Sequence, residues 1–224
     1  FSGGRKMRVA VHPDLDDTSI DQKLRVVEMY QPDGKPDVLQ QIEHGALTVV
    51  GGYRALGRFY RGIISPTLRQ YTHLGDFAAQ TDNVVFDPRT AFNEAPPVGT
   101  GVLGSPDDRW VFTEQNPRRE LGAAAGLAAS ARALRGYDDP LAAECLAVAK
   151  SIWDTTDESA VPAPPWAKER PSARIGLAVE LLVTTGDRRY ADYLVGQRDV
   201  IVKSIKSTGW VVGRALPLVG DAAF

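Results

Sequence analysis

The chain of 224 residues is long enough to bury one substantial core, and its 43% hydrophobic and 24% charged residues are ordinary for a soluble globular protein. The 26 Lys and Arg residues nearly balance the 28 Asp and Glu residues and form no basic stripe, which argues against nucleic-acid binding. A single cysteine excludes an internal disulfide, and no apolar run reaches the roughly 20 residues that span a bilayer.

Residues 1–16 are predicted to form a loop, because they are rich in Gly, Pro and Asp. The sequence opens on Phe1 and carries no signal peptide, so we expect it to be the interior of a longer polypeptide. Three acidic residues at the end of the loop, Asp14, Asp16 and Asp17, could form paired carboxylates for acid–base chemistry. Their position directly before a predicted helix favours helix capping instead.

Residues 17–60 are predicted to form two helices. The first begins near Thr18, which would cap it, and ends before Pro32. The second runs from about Asp37 to Tyr60, because apolar residues recur there at helical spacing. A turn rich in Pro, Asp and Gly separates the two helices.

Residues 61–116 lose helical periodicity and are predicted to form substrate-side loops on one face of a helical scaffold. A loop of this length is uncommon in a compact domain unless it is functional or disordered. The many aromatic residues of the segment argue against a disordered linker. They are Tyr71, Phe77, Phe86, Phe92, Trp110 and Phe112.

Residues 117–206 are predicted to form helical hairpins, because the sequence repeats itself. The segment GLAASARALRG ends at Gly136, and the segment GLAVELLVTTG ends at Gly186, 50 residues later. Each copy is typical of an apolar helix that ends in a left-handed glycine, followed by an acidic turn and a second helix. The second helices are predicted at Leu141–Trp153 and Arg188–Ile205. Such a period indicates stacked α-hairpins, in an open solenoid or in a closed ring.

Several segments resemble the catalytic module of the family 9 glycoside hydrolases, a family of endoglucanases and exoglucosidases. The resemblance covers most of residues 32–206, and its more specific parts are the two segments in the predicted loops. It implies an all-α fold built of α-hairpin repeats of the (α/α)6-barrel type, of which residues 1–224 would supply only part. The segments are Lys35–Gly45, Leu68–Asp76, Asp107–Glu114, Ala128–Trp153 and Thr185–Asp187.

The catalytic carboxylates of this family have no counterpart in the sequence. Family members hydrolyse β-glycosidic bonds with inversion, using an aspartate base from an Asp-Ala-Gly-Asp motif near the start of the module and a glutamate acid near its end. The motif is absent, and the chain stops at Phe224, before the region where the glutamate is expected. Inverting hydrolysis needs one carboxyl to protonate the leaving oxygen and one carboxylate to activate water. We therefore expect no catalytic residue in this chain and no hydrolysis by the chain alone.

The resemblance implies substrate-binding residues in the predicted loops. Trp110 would stack its indole on a pyranose ring, the alternative being a hydrophobic plug that anchors the loop. His73 and Tyr71 would hydrogen-bond sugar hydroxyls, the alternative being loop side chains that bond the backbone. Arg109 would clamp a carboxylate or bridge two loops.

Neither a cofactor nor a metal site is predicted, since the three histidines lie far apart in the sequence. Loop carboxylates could hold a structural Ca²⁺ ion, which prefers hard oxygen ligands, but turn and cap aspartates are the favoured explanation. These carboxylates are Asp76, Asp82, Asp107 and Asp108.

The leading hypothesis is part of a secreted or periplasmic β-glucan hydrolase, with an oligo- or polysaccharide and the remainder of the barrel as its partners. The alternative is a non-catalytic carbohydrate-binding or scaffold protein built from the same hairpins; other α/α-toroid enzymes are runners-up. A helical-repeat module for protein interaction is disfavoured, because such repeats have short connections. Neither nucleic acid nor a membrane is expected as a partner. Because part of a barrel leaves apolar helix faces uncovered, we expect the chain to self-associate or to need the missing part.

Overall fold

The described residues form an all-α fold with two short pairs of strands, which confirms the predicted fold class. They divide into two compact units, a larger one within Phe1–Ala55 and Asn116–Phe224 and a smaller one within Leu56–Gln115. The computed structural model describes residues 14–21, 26–64, 110–161 and 172–220.

The helix predicted between Thr18 and Pro32 is wrong, because these residues contain an antiparallel pair of strands. Strand β1 (Thr18–Asp21) pairs along its whole length with strand β2 (Val26–Met29). β-Branched residues in both strands favour this extended conformation. Thr18 does not cap a helix of its own, since its backbone N–H and its hydroxyl donate to Asp37 Oδ1, each at 3.0 Å.

Asp37 joins this β-hairpin to the first helix, α1 (Asp37–Leu56). Its carboxylate accepts hydrogen bonds from the backbone N–H groups of Asp17 and Thr18 and from the Thr18 hydroxyl. Partial burial alone would raise the pKa of Asp37, but these hydrogen bonds favour the charged form and hold the pKa below its ordinary value. The start of the helix is therefore tied to a strand that lies about twenty residues earlier in the chain.

The acidic residues before β1 do not cap a helix, since the chain continues there as a strand. Asp16 accepts hydrogen bonds from the backbone N–H groups of Asp33 and Gly34, at 3.0 and 2.8 Å. Asp33 accepts one from the backbone N–H of Lys35 at 3.0 Å. The capping prediction is wrong, and these two carboxylates instead stabilise the turn before α1.

Helix α1 confirms the second predicted helix, although it ends at Leu56 rather than at Tyr60. The helix stops at Gly57, whose φ of +67° places it in the left-handed region that glycine tolerates. Arg54, in the last turn, donates to both carboxylate oxygens of Glu144 at 2.7–2.8 Å. This exposed ion pair holds α1 beside the helical hairpins.

In the smaller unit, strand β3 (Ile63–Ile64) pairs with the antiparallel strand β4 (Trp110–Val111). The guanidinium carbon of Arg61 lies 4.8 Å from the centroid of the Phe112 ring. The two described ends of the predicted loop region are thus paired to each other. Residues 65–109 lie outside the described residues, and the loop prediction for them stays a prediction.

The predicted helical hairpins are confirmed. The turn of each hairpin contains the expected left-handed glycine, Gly136 with φ +79° and Gly186 with φ +69°. An aspartate after each glycine caps the next helix. The side chain of Asp138 accepts a hydrogen bond from the N–H of Leu141, and that of Asp187 accepts one from the N–H of Arg189. The first hairpin is α2 (Pro117–Ala133) with α3 (Asp139–Thr155), and the second is α4 (Ala173–Thr185) with α5 (Arg188–Gly196).

The two copies of the sequence repeat pack directly against each other, as α2 against α4. The Thr184 hydroxyl donates to the carbonyl of Ala128 at 2.9 Å, and Arg135 donates to the carbonyl of Thr184 at 2.7 Å. Arg132 Nη2 lies 3.0 Å from Glu180 Oε2. These contacts join the C-terminal half of one helix to that of the other, so the first helices of the two hairpins run in the same direction.

The hydrophobic core lies among α2, α3, α4 and α5. Every residue from Leu177 to Leu182 is buried, as expected for a helix that has neighbours on all sides. Cys145 is fully buried, and this burial is the main cause that raises the pKa of its thiol to about 11. The largest fully buried side chains of these helices are Leu121, Ile175, Leu177, Leu181, Leu182, Tyr190 and Leu194.

The predicted helix Arg188–Ile205 is divided into shorter helices. Gly196, at the end of α5, has a low helix propensity, and the Ser204 hydroxyl bonds the carbonyl of Val200 at 2.7 Å, in competition with the helical pattern. The last two helices, α7 and α8, pack against α4 and α5 respectively. After α5 follow α6 (Arg198–Lys203), α7 (Ile205–Val212) and α8 (Leu216–Val219).

Tyr137, in the turn between α2 and α3, links the first hairpin to α1. Its hydroxyl donates to Glu43 at 3.1 Å. Partial burial, this hydrogen bond and the negative charges of Glu43, Asp33 and Asp138 raise the pKa of Tyr137 from 10 to about 12. Because the pKa is raised in the folded state, the stabilisation is complete below pH 10 and is lost as the pH rises toward 12.

We expect Tyr137→Phe to lower the free energy of unfolding by about 1 kcal/mol at neutral pH, since one hydrogen bond to a carboxylate is lost. The difference from the wild type should shrink between pH 10 and 12, where the wild-type tyrosine ionises more readily in the unfolded chain. Denaturant titrations of both proteins across this pH range measure the difference in the free energy of unfolding. A difference that stays constant with pH would contradict the hydrogen bond between Tyr137 and Glu43.

Candidate functional site

Helices α2 and α4 begin on one face of the larger unit, which we call the N-terminal face. Asn116 precedes α2, and its side chain accepts a hydrogen bond from the N–H of Arg119 at 3.0 Å. Ser172 precedes α4, and its hydroxyl accepts one from the N–H of Arg174 at 3.1 Å. Both are the residue types that cap helix starts most effectively. The N-terminal face is defined here by Asn116, Arg118, Glu158, Ser172 and Arg174.

Glu158 connects the starts of the two helices. Its Oε1 accepts hydrogen bonds from Arg118 Nη1 at 3.1 Å and from the backbone N–H of Ala173 at 3.0 Å. Its Oε2 accepts one from the Ser172 hydroxyl. The carboxylate thus lies between the start of α4 and the Arg118 guanidinium. Since both oxygens are engaged, Glu158 holds the face together.

Arg174 connects the N-terminal face to the end of α3. Its guanidinium donates to the carbonyls of Trp153 and Thr156, at 2.6 and 2.8 Å. These are among the last carbonyl groups of the helix, where a cation is favoured by the helix dipole. The guanidinium carbon also lies 4.2 Å from the centroid of the Trp153 ring, within the range of a cation–π interaction.

An aromatic cluster of Trp153, Tyr190 and Tyr193 lies behind Arg174. The Trp153 ring meets both tyrosine rings edge to face, with centroids 5.1 and 5.0 Å apart. Burial raises the pKa of Tyr193 and outweighs the opposing effects of the Ser172 hydrogen bond and the Arg174 charge. The cluster joins α3 to α5, and Arg174 connects it to α4.

The structure describes little of the predicted substrate-binding set. Trp110 is placed by its backbone, in strand β4 of the smaller unit. Tyr71, His73 and Arg109 lie outside the described residues, so their roles and that of Trp110 stay predictions. The aspartates considered for Ca²⁺ also lie outside, namely Asp76, Asp82, Asp107 and Asp108.

Within the described parts of the chain, no group of three or more His, Cys, Asp or Glu side chains is arranged to hold a metal ion. None of the helices described is both long enough and apolar enough to cross a lipid bilayer.

The charged contacts between the helices were not predicted from the sequence. Arg132 and Glu180 are 48 residues apart, close to the repeat period of 50, so stacked copies bring them together. The repeat could therefore have identified this pair. Glu158 and Arg174 have no such signal, because Glu158 lies 40 residues from Arg118 and Arg174 lies 21 residues from Trp153, and neither separation is close to the repeat period.

Among the comparisons with known proteins, the one with solved structures gave a match. No family model matches the sequence, and no curated protein matches it. Among solved structures, the chain is similar to a metagenome-derived glycoside hydrolase family 9 endoglucanase, with 21% sequence identity and a TM-score of 0.48. The match covers 75% of this chain and 27% of that chain, so this chain spans about a quarter of its length.

Proposed function

We propose that this chain is the carbohydrate-binding portion of a β-glucan hydrolase that acts outside the cytoplasm. The observation that carries the proposal is the parallel arrangement of α2 and α4, which begin together at the N-terminal face. The chain therefore enters both hairpins from one side. The segment that precedes α2 contains Trp110 and resembles the substrate loop of the family 9 glycoside hydrolases.

The residue types of this segment suit a neutral polysaccharide. An indole face is apolar and flat, and it matches the apolar face of a pyranose ring. Histidine and tyrosine side chains supply hydrogen-bond donors for sugar hydroxyls, as proposed for His73 and Tyr71. The substrate class we propose is thus an oligo- or polysaccharide of pyranose units, and the resemblance to the family 9 glycoside hydrolases implies that these are β-linked.

A non-catalytic carbohydrate-binding protein is the second candidate, and the contacts of two glutamates, Glu158 and Glu180, support it. Glu158 is engaged by Arg118, Ser172 and a backbone N–H. Glu180 is engaged by Arg132 and Arg214. Inverting hydrolysis requires one carboxyl group that is free to protonate and one that is free to activate water. These two glutamates meet neither requirement.

We expect the wild-type chain to bind a cello-oligosaccharide, and Trp110→Ala to weaken that binding at least tenfold, about 1.4 kcal/mol, because a stacked tryptophan is a typical hot spot. Isothermal titration calorimetry with cellohexaose measures both dissociation constants. Trp210→Ala is the matched control, since Trp210 is 66% exposed and lies on α7 in the larger unit.

An unchanged dissociation constant for Trp110→Ala would show that Trp110 does not contribute to carbohydrate binding. Failure of the wild-type chain to bind any β-glucan oligosaccharide would contradict the proposed function itself. Release of reducing ends is measured in the same samples. Hydrolysis by this chain would exclude the non-catalytic candidate, whereas binding without hydrolysis is expected of both candidates.

A further inference from the structure

The last three helices form an apolar groove, which we call the C-terminal groove. It has a volume of about 140 Å³, and its lining includes Val202, Ile205, Gly209, Gly213 and Leu216. The side chains of Val202, Ile205 and Leu216 are each about half exposed. Several large aliphatic side chains exposed together on one concave surface are unusual in a soluble protein. The two glycines contribute no side chains, so the groove stays open to a large apolar group.

The helices that form the C-terminal groove carry a positive charge. The segment from Arg198 to Gly220 contains four basic residues and one acidic residue, Asp199. Arg214 is paired with Glu180, and the other three basic residues are exposed; we call these three the basic rim. Arg198 lines the groove itself, and an apolar surface beside positive charges attracts an acidic partner and orients it. The basic rim consists of Arg198, Lys203 and Lys206.

The β-hairpin near the start of the chain has the complementary character. Tyr30, directly after β2, is 87% exposed. Its φ of +63° lies in the left-handed region, where a side chain other than that of Gly, Asn or Asp is uncommon and strained. A strained backbone that holds an aromatic ring in solvent indicates a function for that ring. From Asp14 to Asp33 the sequence contains six acidic residues and only two basic ones, Lys23 and Arg25. The acidic residues are Asp14, Asp16, Asp17, Asp21, Glu28 and Asp33.

The Tyr30 β-hairpin and the C-terminal groove belong to different ends of the helical stack in the larger unit. The β-hairpin is tied to α1 through Asp37, and α1 is held against α3 through the Arg54–Glu144 ion pair. The C-terminal groove lies on the helices that pack against α4 and α5. A molecule therefore presents an acidic projection at one end and a basic-rimmed groove at the other.

We propose that the C-terminal groove binds the Tyr30 β-hairpin of a second copy of this chain. The Tyr30 ring enters the groove among Val202, Ile205 and Leu216, and the acidic residues around Tyr30 face the basic rim. Such a contact joins two different surfaces, so it leads to a closed ring or to longer assemblies rather than to a single self-complementary pair. This inference does not depend on the proposed carbohydrate function.

Sedimentation velocity of the whole chain tests the proposal. The wild type should associate as its concentration increases at low ionic strength, and association should weaken at least tenfold when salt screens the facing charges. Tyr30→Gly should weaken association at least tenfold, because it removes the ring. Glycine accepts the left-handed conformation, so this variant keeps the fold. Ile205→Glu should have the same effect from the groove side, and circular dichroism verifies that both variants are folded.

Mixing the two variants distinguishes this contact from other modes of association. Tyr30→Gly retains an intact groove, and Ile205→Glu retains an intact hairpin, so an equimolar mixture should form a dimer that neither variant forms alone. A wild type that stays monomeric would overturn the proposal. So would loss of association in Ile205→Glu but not in Tyr30→Gly, which would indicate groove-to-groove pairing, or a mixture that remains monomeric.

Discussion

Replacing Trp153 with alanine is expected to lower the free energy of unfolding by about 3–5 kcal/mol, the range found when a buried aromatic side chain is removed from a packed core. Trp153 is 8% exposed and contacts Tyr190 and Tyr193 edge to face. Its ring also lies 4.2 Å from the Arg174 guanidinium carbon. The loss therefore combines a cavity among α3, α4 and α5 with two aromatic contacts and one cation–π contact.

Denaturant titration followed by far-ultraviolet circular dichroism measures this loss, and Trp210→Ala is the control. Trp210 is 66% exposed, so its removal should change the free energy of unfolding by less than about 0.5 kcal/mol. Both proteins should be compared at low concentration, so that self-association does not contribute. A loss below about 1 kcal/mol for Trp153→Ala would show that the aromatic cluster does not hold the two hairpins together.

The helical hairpins could be predicted because their determinants are local. An apolar helix, a glycine that accepts a positive φ and an aspartate cap lie within a dozen residues of one another, twice, 50 residues apart. Gly136 and Gly186 adopt the expected conformation, and the two copies pack together. The repeat thus predicted both the elements and their main contact.

The β-hairpin near the start of the chain could not be predicted in the same way, because a distant residue determines it. Thr18 has the side chain of a helix cap, and the apolar residues after it have roughly helical spacing. The partner that decides its conformation is Asp37, which accepts hydrogen bonds from its N–H and its hydroxyl. A local pattern does not contain that information, so tertiary context overrode the helical signal.

The N-terminal face shows a similar division between local and distant determinants. The caps Asn116 and Ser172 precede helices in the usual pattern and are locally encoded. Glu158, which joins the two helix starts, contacts Arg118, although the two residues lie 40 residues apart in the sequence. Charged residues in loops are common, and the sequence does not distinguish one that bridges two helices from one that faces solvent.

Replacing Glu180 with alanine is expected to lower the free energy of unfolding by about 2–3 kcal/mol. Glu180 is 8% exposed and lies between the guanidinium groups of Arg132 and Arg214, with Arg132 Nη2 at 3.0 Å. Its removal leaves two partly buried cations without their counter-ion. The free-energy cost of such unpaired charges exceeds the stabilisation that the intact ion pairs provide. The expected loss is below the 3–5 kcal/mol typical of fully buried pairs, since both arginines retain access to water.

A double-mutant cycle of Glu180→Ala with Arg132→Ala isolates the contact between α2 and α4. We expect a coupling energy of about 1–2 kcal/mol, because the two charges meet directly and Arg132 also donates to Thr184 at 2.6 Å. A cycle of Arg54→Ala with Glu144→Ala is the surface control, and its coupling should be below about 1 kcal/mol, since both side chains are exposed. Equal coupling in the two cycles would mean that Glu180 is as well solvated as Glu144. The Arg132–Glu180 contact would then contribute no more to joining the repeats than a surface ion pair does.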